Sequence, residues 1–354
     1  MKAGLTRDEW AAEVMRQNSE KADYMVSASR MVMESYGSLF FLRLLDDSGI
    51  DQVEPLEIGP VAHRQMGTYM GIPAKYYNRM MDEAPSLLVQ NANYWLSNDH
   101  AERMIRTLDG MARAFLSNRY RRIDNYEIAS TVLPIIGERE QARFESCQLT
   151  DTHMYIKVVD PQLQAEIAPG NIVQAGVAVI NSEVGQSSLS VQPLIYWPEQ
   201  GNGIIVKDTG MRRTHVGRTI IVTGELLADN TLSTQDRNFL LTVQATVRSA
   251  MDETNFQSIV SQFREARNAP IRDTNVSGVV QQTAKEFGIT DEERGGILQH
   301  LAAGNDLTRY GLASAVTRQS QDIESYDRAS DLEAISYDVM TMGDAQWNRI
   351  NQAA

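Results

Sequence analysis

CQLTDTHMYIKVV, residues 147–159, is the stretch on which the fold turns. Within it Met154, Ile156 and Val158 alternate with His153, Tyr155 and Lys157, and a period of two belongs to a β-strand. Further strands are expected over 171–180, 187–196 and 203–207. The connections between them are too short for helical crossovers, so the sheet is expected to be antiparallel and built from hairpins. On the N-terminal side, Asp109-Gly110 parts two extended runs in RMIRTLDGMARAFLS (103–117), a strong short-range hairpin signal.

Helical patterns flank this centre. Residues 7–20 read as a helix, with Thr6 as N-cap and Trp10, Val14 and Met15 on one face. EIGPVAHRQMGTYMGIPAKYYNRMMDEAP (57–85) divides into two short helices around Gly71-Ile72-Pro73, because a proline disfavours helical geometry in the residue before it. Met66, Tyr69, Met70, Tyr76 and Met80 of this unit are expected in the core. Residues 126–136 read as a helix capped by Asn125, with Pro134 expected to end or bend it. Beyond Ser233 a long amphipathic helix carries Phe239, Leu240, Val243, Val247 and Met251 and, after a break, Phe256, Ile259, Val260 and Phe263. Helices are expected again over 276–287, 291–302 and from Leu307. The fold class is thus α+β, a central antiparallel sheet of hairpins backed by a long helix. Three regions are expected: a mainly helical 1–100, the sheet and helix over 101–270, and an acidic helical 271–354.

With 354 residues, 42% of them hydrophobic and 22% charged, the chain can bury a sizeable core. The single cysteine, Cys147, cannot close an intramolecular disulfide, which favours a reducing compartment and a buried, small apolar role. Neither a signal peptide nor a membrane span can be drawn, so a soluble, cytoplasmic protein is expected. A net charge of −13 argues against coating duplex DNA through a globally positive surface. The charge is uneven, however. From 103 to 122 six arginines stand against Asp109 alone, whereas from 286 to 344 twelve acids stand against four arginines.

No phosphate loop, no G-x-S-x-G elbow, no H-E-x-x-H and no paired C-x-x-C occurs. The five histidines are scattered, and no cofactor or metal site is expected. Asp291-Glu292-Glu293 sits at a helix start, where the macrodipole favours anions. The most informative stretch is ARAFLSNRYRRIDN (112–125). Its Arg113, Arg119, Arg121 and Arg122 can offer guanidinium groups to phosphates, and Tyr120 an aromatic face to a base. A second positive loop, KDTGMRRTHVGR (207–218), adds Lys207, Arg212, Arg213, His215 and Arg218. Two such loops emerging from one sheet would line a groove. The competing reading is that these arginines pair with acids of the chain's own surface or of a neighbouring subunit.

In these segments the chain resembles the phage/plasmid-like protein family, a domain of unknown function common in phages and plasmids. The resemblance rests on AHRQMGTYMGIPAKYYNRM, ARAFLSNRYRRIDNYEI, INSEVGQSSLSVQPLIY followed by GNGI, RRTHVGR, and the tail GLASAVTRQSQDIESYDRASDLE. It covers most of the chain, with one departure: the family's cysteine before its Asn-Gly turn is absent from EQGNG (199–203). The family accompanies phage recombination and replication genes, and at the level of fold it is similar to RecT, Red-beta and Erf single-strand annealing proteins. The resemblance implies an ATP-independent protein that binds and anneals single-stranded DNA as a homo-oligomeric ring or filament, with a phage or host replication or recombination protein as a further partner. The alternatives are a structural or interaction protein that oligomerises without nucleic acid, and a metal-dependent nuclease.

Overall fold

The computed structural model describes residues 1–207, 234–272 and 276–352. The chain opens on α1 (Arg7–Glu20), where the Thr6 hydroxyl and the Glu9 carboxylate form a reciprocal capping box. Strands β1 (Ala22–Ser27), β2 (Met31–Tyr36), β3 (Leu39–Leu44) and β4 (Leu56–Ile58) follow, then helices α2 (Pro60–Tyr69), α3 (Ala74–Glu83) and α4 (Pro85–Ser97). Between α2 and α3, Gly71 turns the chain at φ 68, where a side chain would be strained. Next come β5 (Glu102–Leu108) and β6 (Met111–Ser117), the expected hairpin, turning through Asp109 at φ 53 and Gly110 at φ 76.

That hairpin joins a different sheet from the one expected. It completes a six-stranded sheet of order β1-β5-β6-β4-β3-β2, antiparallel except where β4 lies parallel to β6. The first hundred residues therefore carry four strands besides their helices. On the face of this sheet turned to the helices, Met33, Leu42, Leu44, Ile105 and Phe115 pack against Met66, Met80, Leu88 and Leu96. Of the residues expected in the core here, Met66 and Met80 are buried, whereas Tyr76 is exposed.

The second sheet is the one read from 147–159. After α5 (Asn125–Gly137) come β7 (Arg143–Leu149), β8 (Met154–Ala168), β9 (Asn171–Asn181), β10 (Ser190–Trp197) and β11 (Asn202–Ile205), an antiparallel meander of order β11-β10-β9-β8-β7. Asp124 is the N-cap of α5, one residue before the expected Asn125, and the helix ends three residues beyond Pro134. Helices α6 (Thr234–Ala250) and α7 (Glu253–Arg267) lie either side of the expected break, where Asp252 caps α7 by accepting the N–H groups of Thr254 and Asn255. The C-terminal part holds α8 (Val276–Phe287), α9 (Asp291–Gly304), α10 (Arg309–Gln319), α11 (Tyr326–Thr341) and α12 (Asp344–Gln352).

Both faces of the second sheet are covered. Ile156, Val158, Val177 and Val179 pack on Trp10, Ile128, Val132, Val243 and Val247. On the opposite face, the alternating partners Tyr155 and Lys157 lie under α11 and not in water. Lys157 is fully buried, and its Nζ donates to Glu333 (2.7 Å) and Ser330 (2.9 Å), which is what makes a charge tolerable at that depth. Ile195, Trp197, Ile204 and Val206 share one core with Phe256, Phe263, Val316, Leu332 and Val339, so the acidic C-terminal helices are integral to the sheet's packing. Cys147 is buried, and burial pushes its thiol up to about 12. Among the described residues no helix is long and apolar enough to cross a membrane.

Candidate nucleic-acid interface

The arginine-rich segment leaves β6 at Ser117 and runs to the Asp124 cap of α5. It lies against residues 182–189, the connection from β9 to β10. Tyr120 donates its hydroxyl to the Ser182 carbonyl (3.1 Å), and Gln65 of α2 ties the same connection by donating to the Val184 carbonyl (2.8 Å). Gly185 permits this closeness. It sits at φ 73, and a Cβ there would meet Leu116 at 2.9 Å and Tyr120 at 3.3 Å. The Tyr120 ring is half-buried in the contact, and burial raises its hydroxyl pKa.

Beneath this contact lies a buried ion network that joins the two sheets. Arg106 donates to Asp23 (2.8 Å), to Asp124 (2.6 Å) and to the Glu183 carbonyl (3.1 Å). Glu183, only 4% exposed, faces Lys21 at 3.1 Å and Arg113 at 3.4 Å, and accepts the Asn125 N–H at 2.7 Å. Lys21 also pairs with Asp124 at 3.0 Å. Burial opposes the charge on Arg106, but Asp124, Asp23 and Glu183 outweigh it and hold its pKa above the ordinary value. At Arg113 burial wins over Glu183, and its pKa is lowered. Burial likewise opposes the Asp124 carboxylate, yet Arg106 and Lys21 hold its pKa below the usual range.

The candidate residues thus separate. Arg113 and Tyr120 face inward, into the network and the inter-sheet contact. Arg122 is half-exposed, with one amine 3.5 Å from Asp23. Arg121 lies with its guanidinium 4.7 Å from the Phe239 ring centroid. Arg119 is exposed, and among the described residues its backbone N–H is held by the Ser117 hydroxyl at 3.1 Å. Lys207 follows the other sheet and pairs with Asp338 of α11. Arg113 and Arg119 to Arg122 therefore follow the first sheet and Lys207 the second, which corrects the expectation that both loops leave one sheet. Arg212, Arg213, His215 and Arg218 lie outside the described residues.

Reading the sequence alone missed Lys21, Asp23, Asp124 and Glu183, because their partners lie up to 162 residues away in the chain. It also missed Arg64, exposed on α2 and 3.5 Å from Gln186 of the same connection. Lys21, Arg106, Arg113 and Arg122 pair with the carboxylates of Asp23, Asp124 and Glu183, Asp151 acts on Arg113 from farther off, and the exposed Arg64 and Arg119 stand beside them. The junction is therefore a positive rim on a chain of net charge −13. Among the described residues no three His, Cys, Asp or Glu side chains converge as metal ligands. No protein-family model, curated protein or solved structure matches the chain.

Proposed function

We propose that the protein binds single-stranded nucleic acid along this rim and anneals it without ATP, as a homo-oligomer in the cytoplasm, in the manner of phage and plasmid annealing proteins. The observation that carries the reading is the surplus of guanidinium groups at the junction, with Arg119 exposed and Arg122 half-exposed at its edge. Exposed guanidiniums contact phosphates, position a strand and leave its bases free to pair. The buried network has a different task. It fixes the 118–124 segment against the 182–189 connection so that the outer arginines are held in place. Base stacking passes from Tyr120, whose ring is engaged, to Tyr126 on the first turn of α5, which is 43% exposed. The acidic C-terminal surface is left for a replication or recombination partner.

A labelled oligonucleotide titrated over a range of salt concentrations tests this reading. Each phosphate contact on a single strand contributes a slope of about −0.7 in log affinity against log salt, so Arg119→Ala with Arg122→Ala should flatten the slope by about 1.4. Tyr126→Ala should weaken binding by about 1–3 kcal/mol and leave the slope unchanged. A double arginine variant that stays folded and binds as the parent does sinks the proposal. That outcome favours the second reading, a structural protein that uses its arginines on itself, for which the pairing of Arg113 with Glu183 already speaks. Cleavage of the labelled strand on adding magnesium or manganese would instead favour a nuclease.

A further inference from the structure

A cleft of about 750 Å³ opens where the β2–β3 turn, the end of β4, the start of α2 and the α3–α4 junction meet. Its volume falls in the range of clefts that hold small molecules. We infer that this cleft takes a nucleotide whose base carries an amino group, either free or as one unit of a strand, with its phosphate on Arg64. A mononucleotide would bind here whether or not a strand binds at the rim, so the inference goes beyond the nucleic-acid reading.

The polar groups of this cleft are unspent. Glu57 is half-buried and Asp82 and Asn78 are exposed, and among the described residues none of these side chains is hydrogen-bonded or ion-paired. Arg64 lines the same cleft without pairing with either carboxylate, and its guanidinium reaches Gln186 at 3.5 Å, the limit of a hydrogen bond. His63, 9% exposed, also lines the cleft, its ring fixed by T-shaped contacts with Phe40 and Tyr77 at 5.3 and 5.7 Å between centroids. Burial raises the Tyr77 pKa and keeps its hydroxyl protonated, so the hydroxyl donates to His63 Nδ1, 2.8 Å away. Burial also keeps the imidazole neutral, which leaves its single N–H on Nε2, an atom with no partner among the described residues.

The ligand follows from what these groups lack. Carboxylates only accept, so the part of the ligand that meets Glu57 and Asp82 has to donate, and the Nε2–H of His63 needs an acceptor near that donor. Adenine, guanine and cytosine each set an amino group beside a ring nitrogen or a carbonyl oxygen. Thymine instead flanks its one ring N–H with two carbonyl oxygens, which carboxylates repel. Leu39, 49% exposed, and the half-buried Met81 and Met111 offer apolar surface to a flat ring. Arg64 supplies the paired N–H donors that grip a phosphate.

Isothermal titration of the full-length protein with deoxyadenosine monophosphate, thymidine monophosphate and inorganic phosphate tests the assignment. Deoxyadenosine monophosphate should saturate one site per chain and bind about tenfold or more tighter than thymidine monophosphate, with inorganic phosphate weaker still. Glu57→Gln with Asp82→Ala should erase that preference, and Arg64→Ala should weaken deoxyadenosine monophosphate by about tenfold or more. None of the three side chains is ion-paired among the described residues, so the variants should keep the parent melting temperature. Oligo(dA) bound more tightly than oligo(dT), with the difference lost in the double variant, would place a strand's base in the cleft; equal binding of the two would assign the cleft to the free nucleotide. Oligo(dT) reads the rim by itself, so its failure to bind would count against the nucleic-acid reading and not against this one. The inference is overturned if neither mononucleotide binds at millimolar concentration, if thymidine monophosphate binds as well as deoxyadenosine monophosphate, or if the double variant keeps the preference.

Discussion

Replacing Glu183 with glutamine removes one negative charge from the centre of the junction and little else. The amide oxygen can still accept the Asn125 N–H now bound at 2.7 Å, so the start of α5 keeps its partner. Lys21 retains Asp124 at 3.0 Å. Arg113 is left worst off, for its guanidinium is 13% exposed and Glu183 is the one carboxylate within ion-pair distance among the described residues. Orphaning one member of a buried pair costs about 3–5 kcal/mol, and the lower end applies because Arg113 keeps some contact with water. With an unfolding entropy of about 2.1 cal/mol/K per residue over 354 residues, about 3 kcal/mol lowers the melting temperature by about 4 °C. Adding Arg113→Met to Glu183→Gln removes the stranded cation and should recover most of that loss, a coupling that a double-mutant cycle followed by circular dichroism would read. A Glu183→Gln protein melting within about 1 °C of the parent would refute the reasoning, since the network would then be solvated and Arg113 available to a ligand.

Gly185→Ala should cost about 1–2 kcal/mol from the left-handed backbone alone, and should weaken oligonucleotide binding by displacing Tyr120; an unchanged melt and affinity would show the connection to be loosely held. Lys157→Met should lower the urea midpoint by about 3–5 kcal/mol of stability, whereas Lys157→Met with Glu333→Leu should come close to the parent, because a buried pair contributes far less than the charge left when half of it is removed. His63 is buried with Nδ1 2.8 Å from the Tyr77 hydroxyl, and burial lowers its pKa from 6.5 to about 4. The unfolded chain therefore takes up a proton first as pH falls, and stability is lost progressively between 6.5 and 4. At 1.36 kcal/mol per pH unit this is about 3 kcal/mol that a His63→Gln variant does not lose, and equal acid sensitivity of the two proteins would mean that His63 is charged in the fold.

Local chemistry made much of this protein legible from its residues. Thr6 and Glu9 mark the start of α1 because a capping box is complete within four residues. Asp109-Gly110 marks a hairpin because both residues accept positive φ, and Met154, Ile156 and Val158 mark a strand because side chains alternate with a period of two. Which sheet a hairpin joins is another matter. β5 pairs with β1, residue 22 facing residue 107, and β6 pairs in parallel with β4; nothing within either hairpin strand encodes those partners.

The candidate site divides along the same line. Sequence alone determined that 112–125 concentrates arginine, since charge density is a local property. Only the tertiary structure decided which of those arginines face out. Arg113 and Arg119 are the same residue type six positions apart, yet one points into a carboxylate brought from residue 183 and the other into solvent. Ion pairing acts over a few ångströms of space and is indifferent to separation along the chain, so the partner that removes an arginine from the surface becomes visible once the two sheets have packed together.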